Sequence, residues 1–584
     1  MPHLRSLVLC VLCAPVFSPV LASAAPITPA PAHSVQTLIE RYNTDRNLLF
    51  NVYTDPLSPT TQSRFARLDA DAKHDLDAVD FAALNQEGKV DYLLLKNFLA
   101  RDSHAQTLAA TQWKQVSTFL PIAADVFALE DDRRAVLRPD GEKTAARLAA
   151  MATALDARRA AIEKTLDSSV SRPSRIDAWR AADDLDQLRE QLHRWFDFYN
   201  GYDPEFTWWV ATPYRHFDEV AKSYVLFLRE KVAGVPAGDK TTIIGTPIGR
   251  QALLDQLSDE MIPYTPEELI AMARQQMAWC QREMIRASRE MGYGDDWHKA
   301  LEKVKDHYVA PGEQPQMIYK LAKQGEEYVV KNNLVTVPAL ASEGWRTDMM
   351  TSEQQLVNPF FTGGDTINIS YPTDSMTYAQ RLMSMRGNNY GFAHATVFHE
   401  LIPGHWLQMY SIARNRPYRQ LFDTPFWVEG NALYWELTLW DRGFNTTPEE
   451  RIGALFWRMH RCARIVFSLS FHLGKMTPEQ ATDYLVNEVG HERDNAAAEV
   501  RRSFNGSYNP LYQCAYLLGG MQFRALREEM VDSGKMTDKQ FNDRVLQESE
   551  MPVELLRALM ENQPLTPEYK QSWRFLDAPV NQAR

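Results

Sequence analysis

The sequence predicts a mainly helical protein with one small β-sheet, and three observations carry that reading. Long stretches of the 584 residues place apolar side chains three and four apart, with charges between them. Four Thr-Pro-Glu signatures mark helix starts. Only one run reads clearly as a strand. The composition is globular, 45% hydrophobic and 24% charged, and the net charge is −12. An acidic chain has no basic excess with which to neutralise phosphates, so nucleic acid is excluded as a partner class.

The N-terminus reads as an address. Arg5 supplies the positive start, Leu7 to Val20 is almost uncharged and apolar, and Ala22-Ser23-Ala24 is a small-residue cleavage site. A signal peptide over 1–24 is expected, hence a secreted, periplasmic protein. Its removal takes away Arg5 and no acid, leaving the mature chain at about −13. Cys10 and Cys13 lie inside the apolar run without the small-residue context of a lipid-attachment cysteine. No later stretch approaches bilayer-spanning character, so no membrane span is expected after cleavage. Ala25 to His33 carries three prolines and reads as an extended linker.

An N-terminal helical region is expected over 25–240. Val35–Tyr53, Lys143–Leu166 and Asp177–Tyr199 show its periodicity best, and they are rich in the helix formers Ala, Leu, Arg, Glu and Gln. A catalytic region is expected over 241–584. Thr265-Pro-Glu-Glu268, Thr447-Pro-Glu-Glu450 and Thr477-Pro-Glu-Gln480 each offer a capping hydroxyl, a proline at the first helical position and an acid or amide three residues on. Thr566-Pro-Glu568 repeats most of the pattern. The strand is Gly363–Tyr371, where Ile367 and Ile369 alternate with polar residues; it is either an edge to which an extended peptide could add or an ordinary hairpin strand. Cys280, Cys462 and Cys514 are too scattered for a thiolate cluster and read as core cysteines, with one pair at most.

The chemistry concentrates in Ala393–Gln408, AHATVFHELIPGHWLQ. His399-Glu400 opens a pattern close to the zinc motif in which two histidines stand one turn apart. Here the second histidine is His405, six residues on, and six residues of regular helix turn about 600°. A regular helix therefore points the two imidazoles apart. Pro403 lacks an amide hydrogen and Gly404 tolerates unusual backbone angles, so a broken turn is one outcome, returning His405 to His399. A helix that simply ends at Pro403, with two unrelated histidines, is the other.

A third ligand is sought in Trp427–Glu436. Glu429 and Glu436 are seven apart and share a helical face among Trp, Leu and Tyr. Buried carboxylates are costly unless paired or metal-bound. Glu429 is the expected ligand and Glu436 the expected support behind it; glutamates facing water on an amphipathic helix remain the alternative.

Taken together, His399-Glu-Leu-Ile-Pro-Gly-His405 with Gln408, then Glu429-Gly430 and Ala432-Leu-Tyr434, resemble the bacterial "domain of unknown function 885" family, which is itself similar to helical zincin metallopeptidases. The resemblance covers about 250 to 560. It implies a large helical zincin-like fold, with the sheet beside the metal-binding helix and a deep cleft between the N- and C-terminal helical parts. It implies Zn²⁺ held by His399, His405 and Glu429, with Glu400 as the base that activates water for hydrolysis of peptides. Tyr516 and His472 fall at family-like positions and are its candidate oxyanion donors. Trp406, Asn431, Ser468 and Tyr512 depart from the family pattern. Two rivals stand beside this: a catalytically silent secreted peptide-binding protein, motivated by Trp406 and Asn431 and opposed by the intact Glu400, and a metal-dependent hydrolase of another amide.

Overall fold

A computed structural model describes residues 35–576 apart from 169, 171, 240, 356–359 and 507. The signal peptide expected over 1–24 and the expected linker Ala25 to His33 lie outside the described residues. Within them the protein is mainly helical with one two-stranded sheet. The periodic segments fold as helices Val35–Val52, Gly141–Glu163 and Arg175–Tyr199. In the first, Val35, Ile39, Tyr42 and Leu49 form the buried stripe that the spacing predicts.

Three of the four Thr-Pro signatures start helices, at Pro266, Pro448 and Pro478, each with a reciprocal capping box. Thr377 and Thr537 build the same box without the proline. Thr566 does not start a helix; it opens a single turn closed by Tyr569 N–H on its carbonyl at 3.1 Å. The Glu554 carboxylate then captures Tyr569 Oη, Ser572 N–H and Trp573 N–H at 2.7–3.2 Å and draws the segment out.

Two large cores divide the molecule differently from the expected boundary at 240. One holds Val116 to Val232 alone. The other joins Val35–Leu99 to residues from Leu253 to Phe575. The first three long helices are thus part of the body that carries the site.

The strand shrinks to Thr366–Ile369 and pairs in parallel with Arg346–Met349. It is not a free edge. Thr362 bridges its other side, exchanging bonds with Asn368 at 2.9 and 3.1 Å. Ile367 and Ile369 are buried against Ala393 and Val397 of the helix Tyr390–Glu400, which puts the sheet beside that helix.

Two glycine crossings bring the helices of the site together. Tyr390–Glu400 meets Pro448–His472 where Gly391 touches Gly453; a methyl on Gly453 would come within 2.2 Å of the Gly391 carbonyl oxygen. Pro425–Asp441 meets Tyr512–Arg527 where Gly430 touches Gly519, and a methyl on Gly430 would come within 2.6 Å of the facing Cα. Such contacts are open only to residues without a side chain. Among the described residues no helix is long and apolar enough to cross a membrane.

Candidate metal and active site

The helix that carries His399 starts at an Asn389 cap, whose side chain accepts from Phe392 N–H at 3.0 Å, and ends at Glu400. Four residues, Leu401 to Gly404, then fold back. Gly404 N–H donates to the Phe398 carbonyl at 2.9 Å, and a new helix begins at His405. The return is so tight that a methyl on Gly404 would stand 1.8 Å from the His399 carbonyl oxygen. That approach accounts for the glycine. It also settles the geometry of the Pro-Gly break: the two imidazoles meet, edge to face, with ring centroids 4.8 Å apart.

Glu429 completes the group from the next helix. Its Oε2 lies 3.5 Å from His399 Nε2 and 3.2 Å from His405 Nε2. Ligand atoms of the three residues all lie within 4.8 Å of one another. His394 is not part of the group; it stacks on Phe444 and faces Glu450.

Each member is held from behind. Glu436 sits 2.7 Å from His399 Nδ1. His405 Nδ1 meets Gln408 Oε1 at 3.3 Å, and Gln408 Nε2 donates to Asn431 Oδ1 at 3.0 Å. Tyr512 Oη donates to Glu429 Oε1. Partners of this kind fix ring orientation and ligand basicity. Asn431 and Tyr512, two departures from the family pattern, thus act in the support of the group. Trp406 instead anchors on the Ala341 carbonyl at 2.7 Å and Ser468 on that of Pro510 at 3.1 Å.

Burial alone would push the His399 imidazole down, but Glu429 and Glu436 outweigh it and hold it up at about 9. His405 is raised in the same way by Glu429. Burial opposes ionisation of Glu429, yet the two imidazoles keep it well below the usual carboxylate range. Its Oε2 is buried and makes no hydrogen bond of good geometry. Two imidazole nitrogens and a carboxylate oxygen aimed at one point form a donor set that fits zinc.

The group opens on a cavity of about 290 Å³, whose lining among the described residues runs from Phe360 to Tyr516. The site therefore does not lie between the N- and C-terminal parts of the chain. Glu400 lines the cavity, packed so closely on Gly363 that a methyl there would come within 2.5 Å of its Cβ. Tyr516 lines it too, its ring nearly parallel to that of His399 at 6.2 Å. Burial raises the Tyr516 phenol above its ordinary value, which keeps it a neutral donor.

Several lining residues have no role in the sequence reading, Arg464 among them although it falls at a family-like position. Trp457, His460, Arg461 and Arg464 occupy one face of Pro448–His472, at spacings of three, four and seven, and Arg502 and Tyr508 join them. His460 is the histidine that this helix gives to the cavity. Its Nδ1 pairs with His491 Nε2 at 2.8 Å, and burial with the nearby Arg464 keeps it well below the ordinary range, hence neutral.

His472 must be reassigned. It lies eight residues beyond Arg464, about 12 Å along the axis, packs against Phe471 and Phe504, and does not line the cavity. Burial alone pushes its imidazole down to about 4. Between pH 6.5 and 4 the unfolded chain binds a proton that the folded chain refuses, so stability falls as pH drops through that window. The loss reaches about 3 kcal/mol. His472→Phe is expected to flatten the acid limb of the denaturant midpoint and to leave kcat near normal. Superimposable acid limbs in the two proteins would contradict this.

The family described as "Bacterial protein of unknown function (DUF885)" matches residues 45–560. This chain belongs to that family. No curated protein matches the sequence. The fold is shared with a "putative lipoprotein of unknown function" from Shewanella oneidensis, at 17% identity and a TM-score of 0.66, covering 90% of this chain and all of that one. A "putative lipoprotein" from Colwellia psychrerythraea is similar at 15% identity and a TM-score of 0.57, over 91% of this chain and 99% of that one. The DUF885 match spans helices of both cores, so the family unit is larger than the catalytic region expected from the motifs alone.

Proposed function

We propose that this DUF885 protein is a secreted zinc-dependent peptidase with a zincin-like site. The observation that carries the reading is the convergence of His399, His405 and Glu429 beside Glu400 in one cavity. His399 and His405 would hold Zn²⁺ through their Nε2 atoms and Glu429 through Oε2. When bound, zinc supplies Lewis acidity toward water and toward a substrate carbonyl. Glu400, next to a ligand in the chain, takes a proton from the attacking water and returns it to the leaving amine. Tyr516 and the neutral His460 present donors to the developing oxyanion. Glu436, Gln408 and Tyr512 hold the three ligand side chains in register. The departures at Trp406 and Ser468 lie outside the cavity lining, which removes much of the motive for a silent binding protein. The two lipoprotein neighbours support a place in the cell envelope.

Elemental analysis of the purified mature protein is expected to find about one zinc per chain, as for a three-ligand site. Mass-spectrometric profiling of a mixed peptide library is expected to show cleavage that a chelator stops. Hydrolysis that persists in the metal-stripped protein sinks the reading. Turnover confined to non-peptide amides would keep the metal chemistry and replace the substrate.

A further inference from the structure

The wall of the cavity behind Tyr516 is cationic in a way that hydrolysis does not require. Arg461, Arg464 and Arg502 all line it. Arg461 and Arg464 are buried and Arg502 half-buried. Aromatic faces hold them. Arg461 lies 5.1 Å from the centroid of Trp457 and 4.9 Å from that of Tyr516, Arg464 4.5 Å from that of Tyr516, and Arg502 5.6 Å from that of Tyr508.

Their carboxylate partners are few. Arg464 and Arg502 share Glu499, at 2.7 and 2.5 Å, and Gln513 also donates to it at 3.0 Å. Burial would raise the Glu499 carboxyl, but the two arginines hold it down at about 2, so it is ionised and fully engaged. Among the described residues Glu436 is the one carboxylate that Arg461 reaches, at 3.4 Å, and Glu436 is already committed to His399 at 2.7 Å. Each guanidinium carries five N–H donors in a fork that matches a carboxylate. Among the described residues the Nε atoms of Arg461 and Arg502 are buried without a hydrogen bond. The charges point the same way. With His399 and His405 neutral as ligands, three arginines stand against Glu400, Glu429, Glu436 and Glu499, one negative charge in excess; a bound dication would turn that into one positive charge, which a monoanion would neutralise.

The position of this wall sets the reach. The Tyr516 ring is 6.2 Å from His399, and the guanidiniums of Arg461 and Arg464 stand 4.5–4.9 Å from that ring. Together this is about one to three residues of extended chain from the ligand group. The cavity, at about 290 Å³, sits at the small end of ligand sites. A short piece of substrate ends here.

We infer that Arg461, Arg464 and Arg502 form an anion subsite that binds a carboxylate on the substrate one to three residues from the scissile bond. A C-terminal carboxylate is the favoured source and an acidic side chain the other. This inference rests on the peptidase reading above; it adds the substrate class, short peptides ending in or carrying a carboxylate.

Binding tests it apart from turnover. Zinc-loaded Glu400→Gln protein is titrated calorimetrically with three probes: N-acetyl-Ala-Ala-Ala as the free acid, the same peptide as its C-terminal amide, and N-acetyl-Ala-Ala-Asp amide. The free acid is expected to bind at least about 30-fold more tightly than the amide, the low end for a desolvated charge pair. Adding Arg502→Gln is expected to collapse that ratio to within about threefold, and Arg502→Lys to restore part of it. A thermal melt shows that each variant is folded, and the lysine variant separates loss of the charge from loss of the fold. Tight binding of the Asp amide alone assigns the subsite to an acidic side chain. Equal binding of all three probes overturns the subsite while peptide cleavage by the wild type still stands. Binding of none to a zinc-loaded protein overturns both readings.

Discussion

Glu400→Gln is expected to keep its zinc and lose peptide hydrolysis by about 100- to 10,000-fold, the range for removal of a general base. The substitution is nearly isosteric, and the side chain is confined where Gly363 presses against it. Glu400 is absent from the group formed by His399, His405 and Glu429. Zinc stoichiometry and the melting curve should therefore match the wild type while kcat falls. Substrate binding should survive, so KM is expected to move far less than kcat. A variant that cleaves peptides within tenfold of the wild-type rate would assign the base elsewhere in the cavity.

Glu429 and Glu436 share one helical face but are expected to fail differently. Glu429→Ala removes one of three donors and should leave the purified protein without zinc and without activity. Glu436→Ala removes the group that orients His399 through Nδ1. It should retain zinc with an affinity weakened about 10- to 100-fold, the usual cost of losing such a partner. Competition against a chelator of known strength measures both. If Glu436→Ala empties and Glu429→Ala stays loaded, the two roles are reversed. The cost of Glu429→Ala to folding is expected to be modest, because the helix is anchored by Phe426, Trp427 and Leu433 in the large core.

Much of the cluster of His399, His405 and Glu429 was legible because it is written in local terms. His399 and Glu400 are adjacent, Glu429 and Glu436 are a whole number of turns apart, and a Pro-Gly pair between two histidines announces a broken helix. The arginine wall was not. Pro448–His472 is buried around most of its surface, so its 3.6-residue rhythm is lost, and a helix with several arginines reads as a solvated one. Only packing against Tyr516 and Glu499 gives those charges a common direction. His472 failed for the opposite reason: it matched a pattern, but twelve residues of straight helix separate it from His460, which does line the cavity. The strand was found, yet its partners Arg346–Met349 and Thr362 come from segments with no strand rhythm of their own. The division at 240 followed the motifs, whereas the core follows long-range packing that brings Val35–Leu99 back onto the C-terminal helices.

The contact between Gly430 and Gly519 gives the site its tolerance. Glu429 precedes one glycine, and Tyr512 and Tyr516 precede the other on the facing helix. Where two main chains touch directly, no side-chain rotamer is left to absorb an error. The carboxylate and the phenols are therefore measured from a common datum. Exchanges among the surrounding leucines and phenylalanines can repack the interior while that datum stays put. A single methyl at either glycine cannot be taken up in this way, because it pushes the backbones apart and carries Glu429 away from Tyr512. Sequence drift should thus be permissive across most of this core and abruptly unforgiving at one point of it, beside Glu429 and one turn from Tyr516.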